Sequence, residues 1–225
     1  MLLRAIGEVL PAALGIALNP FPIIAIVLLL AAGSSRKSAT AFALGWVLGL
    51  AGLTVVALFA TTSTDDSDGT SSVVFDGLRV ILGIALLWLA WRKWHGRPRR
   101  GDAVVPPKWM SSVNSFGPMQ AFGLGAGLAG INPKNFAFIV SASASITDLT
   151  NTTRDTIVAG AVLVVLGSFA VLGLLMYSLV RGSKANGPLG EIKDFMLANN
   201  AVIIMVVLII LGVKILGDGL GSLAS

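Results

Sequence analysis

Two tetrapeptides carry the residue types best suited to chemistry, Asn19-Pro20-Phe21-Pro22 and Asn132-Pro133-Lys134-Asn135. Asparagine is a strong helix N-cap because its side-chain oxygen accepts from the free amides of the following turn. Proline suits the next position because it has no amide to leave unbonded. Each Asn-Pro pair therefore predicts the start of a new half-helix. Such a start presents unpaired N–H groups and the positive end of the helix dipole, which together favour an anion. Lys134, in the first turn of the second start, adds a full positive charge. The anion could be a carboxylate, a phosphate or a sulfate. Asn135 can donate as well as accept and could orient sugar hydroxyls, while Phe21, Phe136 and Phe138 would supply an apolar wall. The competing reading is packing, since proline lets a helix bend and asparagine bridges neighbouring helices. The recurrence of the break and the presence of Lys134 favour a binding site made of Asn19, Pro20, Phe21, Pro22, Asn132, Pro133, Lys134, Asn135 and Phe136. If Lys134 snorkels to an interface, that special status disappears.

The elements that position these residues belong in a bilayer. Of 225 residues, 55% are hydrophobic and only 12% charged, and the mean hydropathy is +0.87. A soluble surface needs about a quarter charged residues. The charges fall into short runs that leave six apolar segments, at about 5–32, 39–61, 73–91, 117–146, 155–181 and 198–220. Each is long enough to cross a hydrocarbon core of about 30 Å. The two Asn-Pro breaks lie inside the first and fourth segments. At that depth a charge such as Lys134 costs on the order of 3 kcal/mol, a cost that usually marks function.

Orientation follows from the connections. Arg36 and Lys37 lie between segments one and two; Arg92, Lys93, Arg97, Arg99, Arg100 and Lys108 between three and four; Arg181, Lys184 and Lys193 between five and six. The alternate connections hold Asp65, Asp66, Asp68 and Asp76 with Arg79, then Asp148 and Asp155 with Arg154. Retention of Lys and Arg on the cytoplasmic side places the basic connections inside and both termini outside. Trp88, Trp91 and Trp94 would anchor the third helix at the inner interface. The basic stretch 92–108 sets orientation or, alternatively, meets anionic lipid headgroups.

Feature order suggests a repeat. Each half has a long broken helix, a Gly-rich helix and a shorter apolar one, with Gly45, Gly49 and Gly52 answering Gly160, Gly167 and Gly173. Three spans per half inverts the second half relative to the first, an architecture common in transporters. The expected fold is an all-α integral membrane protein with six transmembrane helices in two inverted three-helix repeats, the first helix of each (segments one and four) being broken. Residues 1–95 form the first repeat, 96–116 a basic cytoplasmic connection and 117–225 the second repeat.

Other residues narrow the function. With no cysteine and a single histidine, His95, in a basic loop, the chain has no thiol redox couple and no ligand cluster for a dedicated transition-metal site. Ser141, Ser143 and Ser145 have no histidine partner in the apolar core, so no enzyme is read. No cofactor and no nucleic-acid partner is expected, and the lack of a phosphate-binding loop argues against ATP hydrolysis by this chain. Lys214 and Asp218, spaced i, i+4, are expected to pair at the outer surface, as are Arg4 and Glu8; proton coupling through Asp218 or Glu8 is the alternative. Trp46 reads as a packing wedge among glycines. Residues 1–33 superficially match a signal peptide through Arg4, an apolar run and Ala31, Ala32 and Gly33, but the interruption at Asn19-Pro20 argues for retention.

With N-P-x-P in the first helix, N-P-K-N in the fourth, a Gly-Trp second helix and a basic third connection, the whole chain resembles the GAP family. This group of mycobacterial and actinobacterial proteins includes the sulfolipid-addressing Sap proteins and is placed in the LysE superfamily of small exporters. The resemblance implies a transporter or flippase that moves an anionic glycolipid, or a lipid-linked sugar precursor, across the plasma membrane toward the cell envelope. The partners implied are the lipid itself and envelope-biosynthesis enzymes, and a homodimer is possible on the small-residue faces. Two other functions fit the same chain: export of a small soluble metabolite such as an amino acid, and a non-transporting scaffold for envelope assembly.

Overall fold

A computed structural model describes residues 1–31, 36–62, 69–96, 112–113 and 115–223. Outside them lie Ala32 and Gly33, Asp65, Asp66 and Asp68, and the basic Arg97, Arg99, Arg100 and Lys108 of the 96–116 connection, as do the side chains of Asp76, Arg79 and Asp218. Among the described residues every regular element is helical: α1 (Leu2–Ala17), α2 (Pro20–Ala31), α3 (Arg36–Thr62), α4 (Gly69–His95), α5 (Pro118–Gly130), α6 (Pro133–Leu149), α7 (Thr153–Gly167), α8 (Phe169–Arg181) and α9 (Asn186–Leu223). A 3-10 turn, Gly182–Ala185, joins α8 to α9. Gly182 has φ +56°, a left-handed conformation that glycine adopts without penalty and that stops α8.

Among the described residues two helices, α3 and α9, are long and apolar enough on their own to cross a membrane, and the count rises to four if the bent pairs α1–α2 and α7–α8 each make one span. The bends measure 52° and 56°. The chain therefore breaks where Asn19-Pro20 and Asn132-Pro133 predict, and it also breaks at Ser168, inside a segment expected to be continuous. The last connection differs as well. Helix α9 starts at Asn186, so Lys193 lies on a helix and pairs with Asp194 at 3.3 Å.

Small residues set the packing. A methyl group added at Gly45 would run into the Phe122 carbonyl, and one at Gly49 would meet Ala126 and Ala129, so α3 and α5 lie backbone to backbone and run parallel. Gly83 faces Leu216 and Gly212 faces Leu87, which makes α4 and α9 antiparallel. Gly160 faces Thr54 and Leu58 while Gly167 faces Leu50, so α7 runs against α3. Helix α1 packs along α7 and α2 along α8, nesting one bent pair on the other. The core gathers Phe42, Trp46 and Leu50 of α3 with Ile16, Ile24 and Phe138.

Candidate functional site

Both Asn-Pro breaks are capped alike. Asn19 Oδ1 accepts the Phe21 N–H at 3.2 Å, and Asn132 Oδ1 accepts the Lys134 N–H at 3.0 Å. A proline after the cap leaves the carbonyl four residues earlier without its donor. The two breaks mend this differently. At the first, the Asn19 N–H folds back to Ile16 O at 3.1 Å. At the second, the side-chain amide of Asn135 donates to Leu128 O at 3.1 Å and Ala129 O at 3.2 Å, replacing the ladder that Pro133 interrupts. With its donors spent there, Asn135 keeps only Oδ1, which has no partner in the protein. The expected donor to sugar hydroxyls is thus an acceptor that first of all holds the break together.

The breaks lie at one level. A methyl at Gly167 would stand 3.2 Å from Ile16 Cγ2 and 3.6 Å from Leu50 Cδ1, while Gly49, next to Leu50, meets Ala129. Ile16 and Ala129 are the last turns before the two Asn-Pro breaks, and Leu50 is near the middle of α3. Phe138 links them: its ring lies against Gly15 of α1, and the Lys134 ammonium sits 5.6 Å from the same ring's centroid. That cation–π contact is worth about 0.5–2 kcal/mol. It leaves the ammonium's hydrogens unmet, since Lys134 Nζ is buried with no hydrogen-bond partner.

Asn19, Pro20 and Pro22 are buried, Phe21, Asn132 and Lys134 are half-buried, and Asn135 is buried. Pro133 is exposed and Phe136 is 54% exposed, whereas Phe138, the third phenylalanine expected in the apolar wall, is buried. Among buried side-chain atoms without a protein partner, Asn19 Nδ2, Trp46 Nε1 and Lys134 Nζ are donors only, and the hydroxyls of Thr54, Ser143 and Ser168 can donate. The amide assignments are fixed by the bonds that Asn19 Oδ1 and Asn135 Nδ2 make. Asn135 Oδ1 and Asn200 Oδ1 are the acceptors among these atoms, so donors outnumber them, a balance that suits an anion.

Ser145 and Thr147 bond to carbonyls one turn back on α6, Ser141 O and Ser143 O, as hydroxyls in membrane helices do. Lys214 pairs across the fold with Glu8 at 3.2 Å, tying α9 to α1, where Arg4 was the expected partner of Glu8; the expected Lys214–Asp218 pair involves a side chain outside the described residues. Away from the breaks, Leu87, Ala90, Trp91 and Trp94 of α4 and Met205 and Ile209 of α9 line an open apolar groove of about 350 Å³. Sequence reasoning missed Ser168. Its signal was the Gly167-Ser168 pair, a combination at which helices kink without proline.

These features define a helical membrane protein with a buried cation beside one of its helix breaks. The chain belongs to the family described as Sap, sulfolipid-1-addressing protein, whose model matches residues 9–221. The GAP-family resemblance is thereby borne out, and the family's description speaks of addressing rather than of a reaction. No curated protein and no solved structure matches the chain.

Proposed function

We propose that the protein is a plasma-membrane transporter or flippase that carries an anionic amphipathic lipid, a glycolipid or lipid-linked sugar precursor, toward the cell envelope. The observation that carries this reading is the buried, unpartnered ammonium of Lys134 at the level where the breaks meet. An uncompensated buried charge is costly, and an anionic headgroup supplies the missing partner. Asn19 Nδ2 adds a donor from the opposite half. The acyl or prenyl chain stays in lipid, and the largely apolar α4–α9 groove, away from the breaks, offers a surface for it.

The same reading takes six alternating spans in two inverted repeats, 1–95 and 117–225 about the 96–116 connection, with both termini outside. The helix directions support it, because α3 parallel to α5, antiparallel to α7, and α4 antiparallel to α9 are the relations that six alternating spans require. Partner exchange supports it too: α1 of the first half packs on α7 of the second, and α5 of the second on α3 of the first. Rocking of one half against the other would then expose the site to each leaflet in turn.

Native mass spectrometry of the full chain, released from its own membrane in mild detergent, tests the proposal. Wild-type protein is expected to retain a defined anionic lipid that Lys134→Ala loses. The same lipids on both proteins, or none on either, would overturn the lipid reading and make soluble-metabolite export the next assay.

A further inference from the structure

The break at Ser168 serves no evident packing need for a bare hydroxyl. Ser168 is 0% exposed and its Oγ has no partner, although it stands at the N-cap position of α8. Unlike Asn19 and Asn132, it does not cap its own helix. Its neighbour Gly167 lies against Ile16, three residues before Asn19, whose Nδ2 is likewise buried, at 1% exposure, and unpartnered. Two buried polar side chains from opposite halves thus remain unmet at adjoining bends.

Backbone donors are distributed unevenly over the three starts. In α2, Pro20 and Pro22 have no N–H and that of Phe21 goes to Asn19 Oδ1. In α6, Pro133 has none and that of Lys134 goes to Asn132 Oδ1. In α8, the N–H groups of Phe169, Ala170 and Val171 make no bond back into α7, and Leu172 is the first whose N–H bonds across the bend, to Ser168 O at 2.9 Å. The α8 start, which sequence motifs do not mark, therefore offers three such amides, against one in the first turn of α6, that of Asn135.

We propose that Ser168 and the free amides opening α8 form a third arm of the anion site, binding an oxygen of the substrate's anionic group opposite Lys134. This rests on the function proposed above and moves the backbone contribution from α2 to α8. The oxyanion is shared by a lipid headgroup and by a free anion such as inorganic phosphate, and the two sources are separable by competition.

The test is calorimetric titration of the full chain in zwitterionic-lipid nanodiscs with octyl phosphate and with inorganic phosphate, on wild type, Ser168→Ala, Ser168→Gly, Ser168→Thr and Lys134→Ala. Loss of one hydrogen bond to a charged group predicts about tenfold weaker octyl phosphate binding in Ser168→Ala and Ser168→Gly, with Ser168→Thr near wild type. Two hydroxyl-free variants of different bulk guard against a packing artefact. Binding unchanged in both, but lost in Lys134→Ala, overturns the third arm and leaves the Lys134 site standing. Binding unchanged in all variants, or absent from wild type, overturns both. Inorganic phosphate binding as tightly as octyl phosphate assigns the same arm to a soluble anion.

Discussion

The two Asn-Pro breaks share a frame and differ in what it carries. Each has an asparagine whose oxygen caps the amide two residues on, at 3.2 and 3.0 Å, and a proline at the first helical position. At the third position Phe21 stands in one and Lys134 in the other; at the fourth, Pro22 and Asn135. The first break is apolar, short of amides and closed by a local turn, while the second is charged and mended by a side chain. The cap is thus a common device for stopping and restarting a helix, and the chemistry resides in the two positions that follow. If the halves descend from one repeat, only one has acquired a cation at this position, so the two breaks differ in chemistry even though the architecture around them is paired.

The sharpest way to break that comparison is to truncate the third position in each. Lys134→Ala is expected to lower lipid transport in proteoliposomes on the order of a hundredfold, the scale for removing one partner of a buried charge contact. Phe21→Ala should stay within a few-fold. Comparable losses in both would mean that the breaks act as equivalent hinges and that the charge is incidental.

The fourth position should separate in stability rather than transport. Asn135→Ala strands the buried Ala129 O, whose loss of its donor costs about 1–3 kcal/mol, and the part-buried Leu128 O. Thermal unfolding in detergent should show a clear fall in Tm. Pro22→Ala strands no acceptor and should cost less, about 1 kcal/mol for the lost packing of a buried ring. An Asn135→Ala protein as stable as wild type would show that the carbonyls find other donors and that the side-chain bonds of the second break are dispensable.

Much of this was legible in the sequence. Both asparagine caps, the half-helix starts and the apolar character of the chain follow from Asn-Pro chemistry and composition, because capping is a contact between neighbours in sequence. The role of Asn135 was not, since its bonds depend on where the end of α5 lies relative to its own turn. Nor could the sequence place Phe136 outside and Phe138 inside: two residues apart on a helix, they differ only by which face meets α1 at Gly15. Ser168 was hidden for a different reason. Gly-Ser pairs occur inside many straight membrane helices, and only the nesting of α7–α8 on α1–α2 makes this one a bend.

The smallest effect is the most discriminating. If capping is all the two asparagines do, Asn19→Ala and Asn132→Ala should each destabilise the fold by about 1 kcal/mol and affect transport equally, because their caps have the same geometry. They differ in burial: Asn19 is buried with Nδ2 unpartnered, whereas Asn132 is half-buried. A substrate that reaches the meeting point of the breaks would draw on the Asn19 amide and not on that of Asn132. Equal losses of Tm with a several-fold greater loss of transport in Asn19→Ala would assign the amide to substrate, and Asn19→Asp, which keeps the capping oxygen but replaces the donor with an acceptor, should then reproduce the transport loss without the loss of the cap. Equal transport in Asn19→Ala and Asn132→Ala would confine the first break to architecture and leave the substrate to the second half alone.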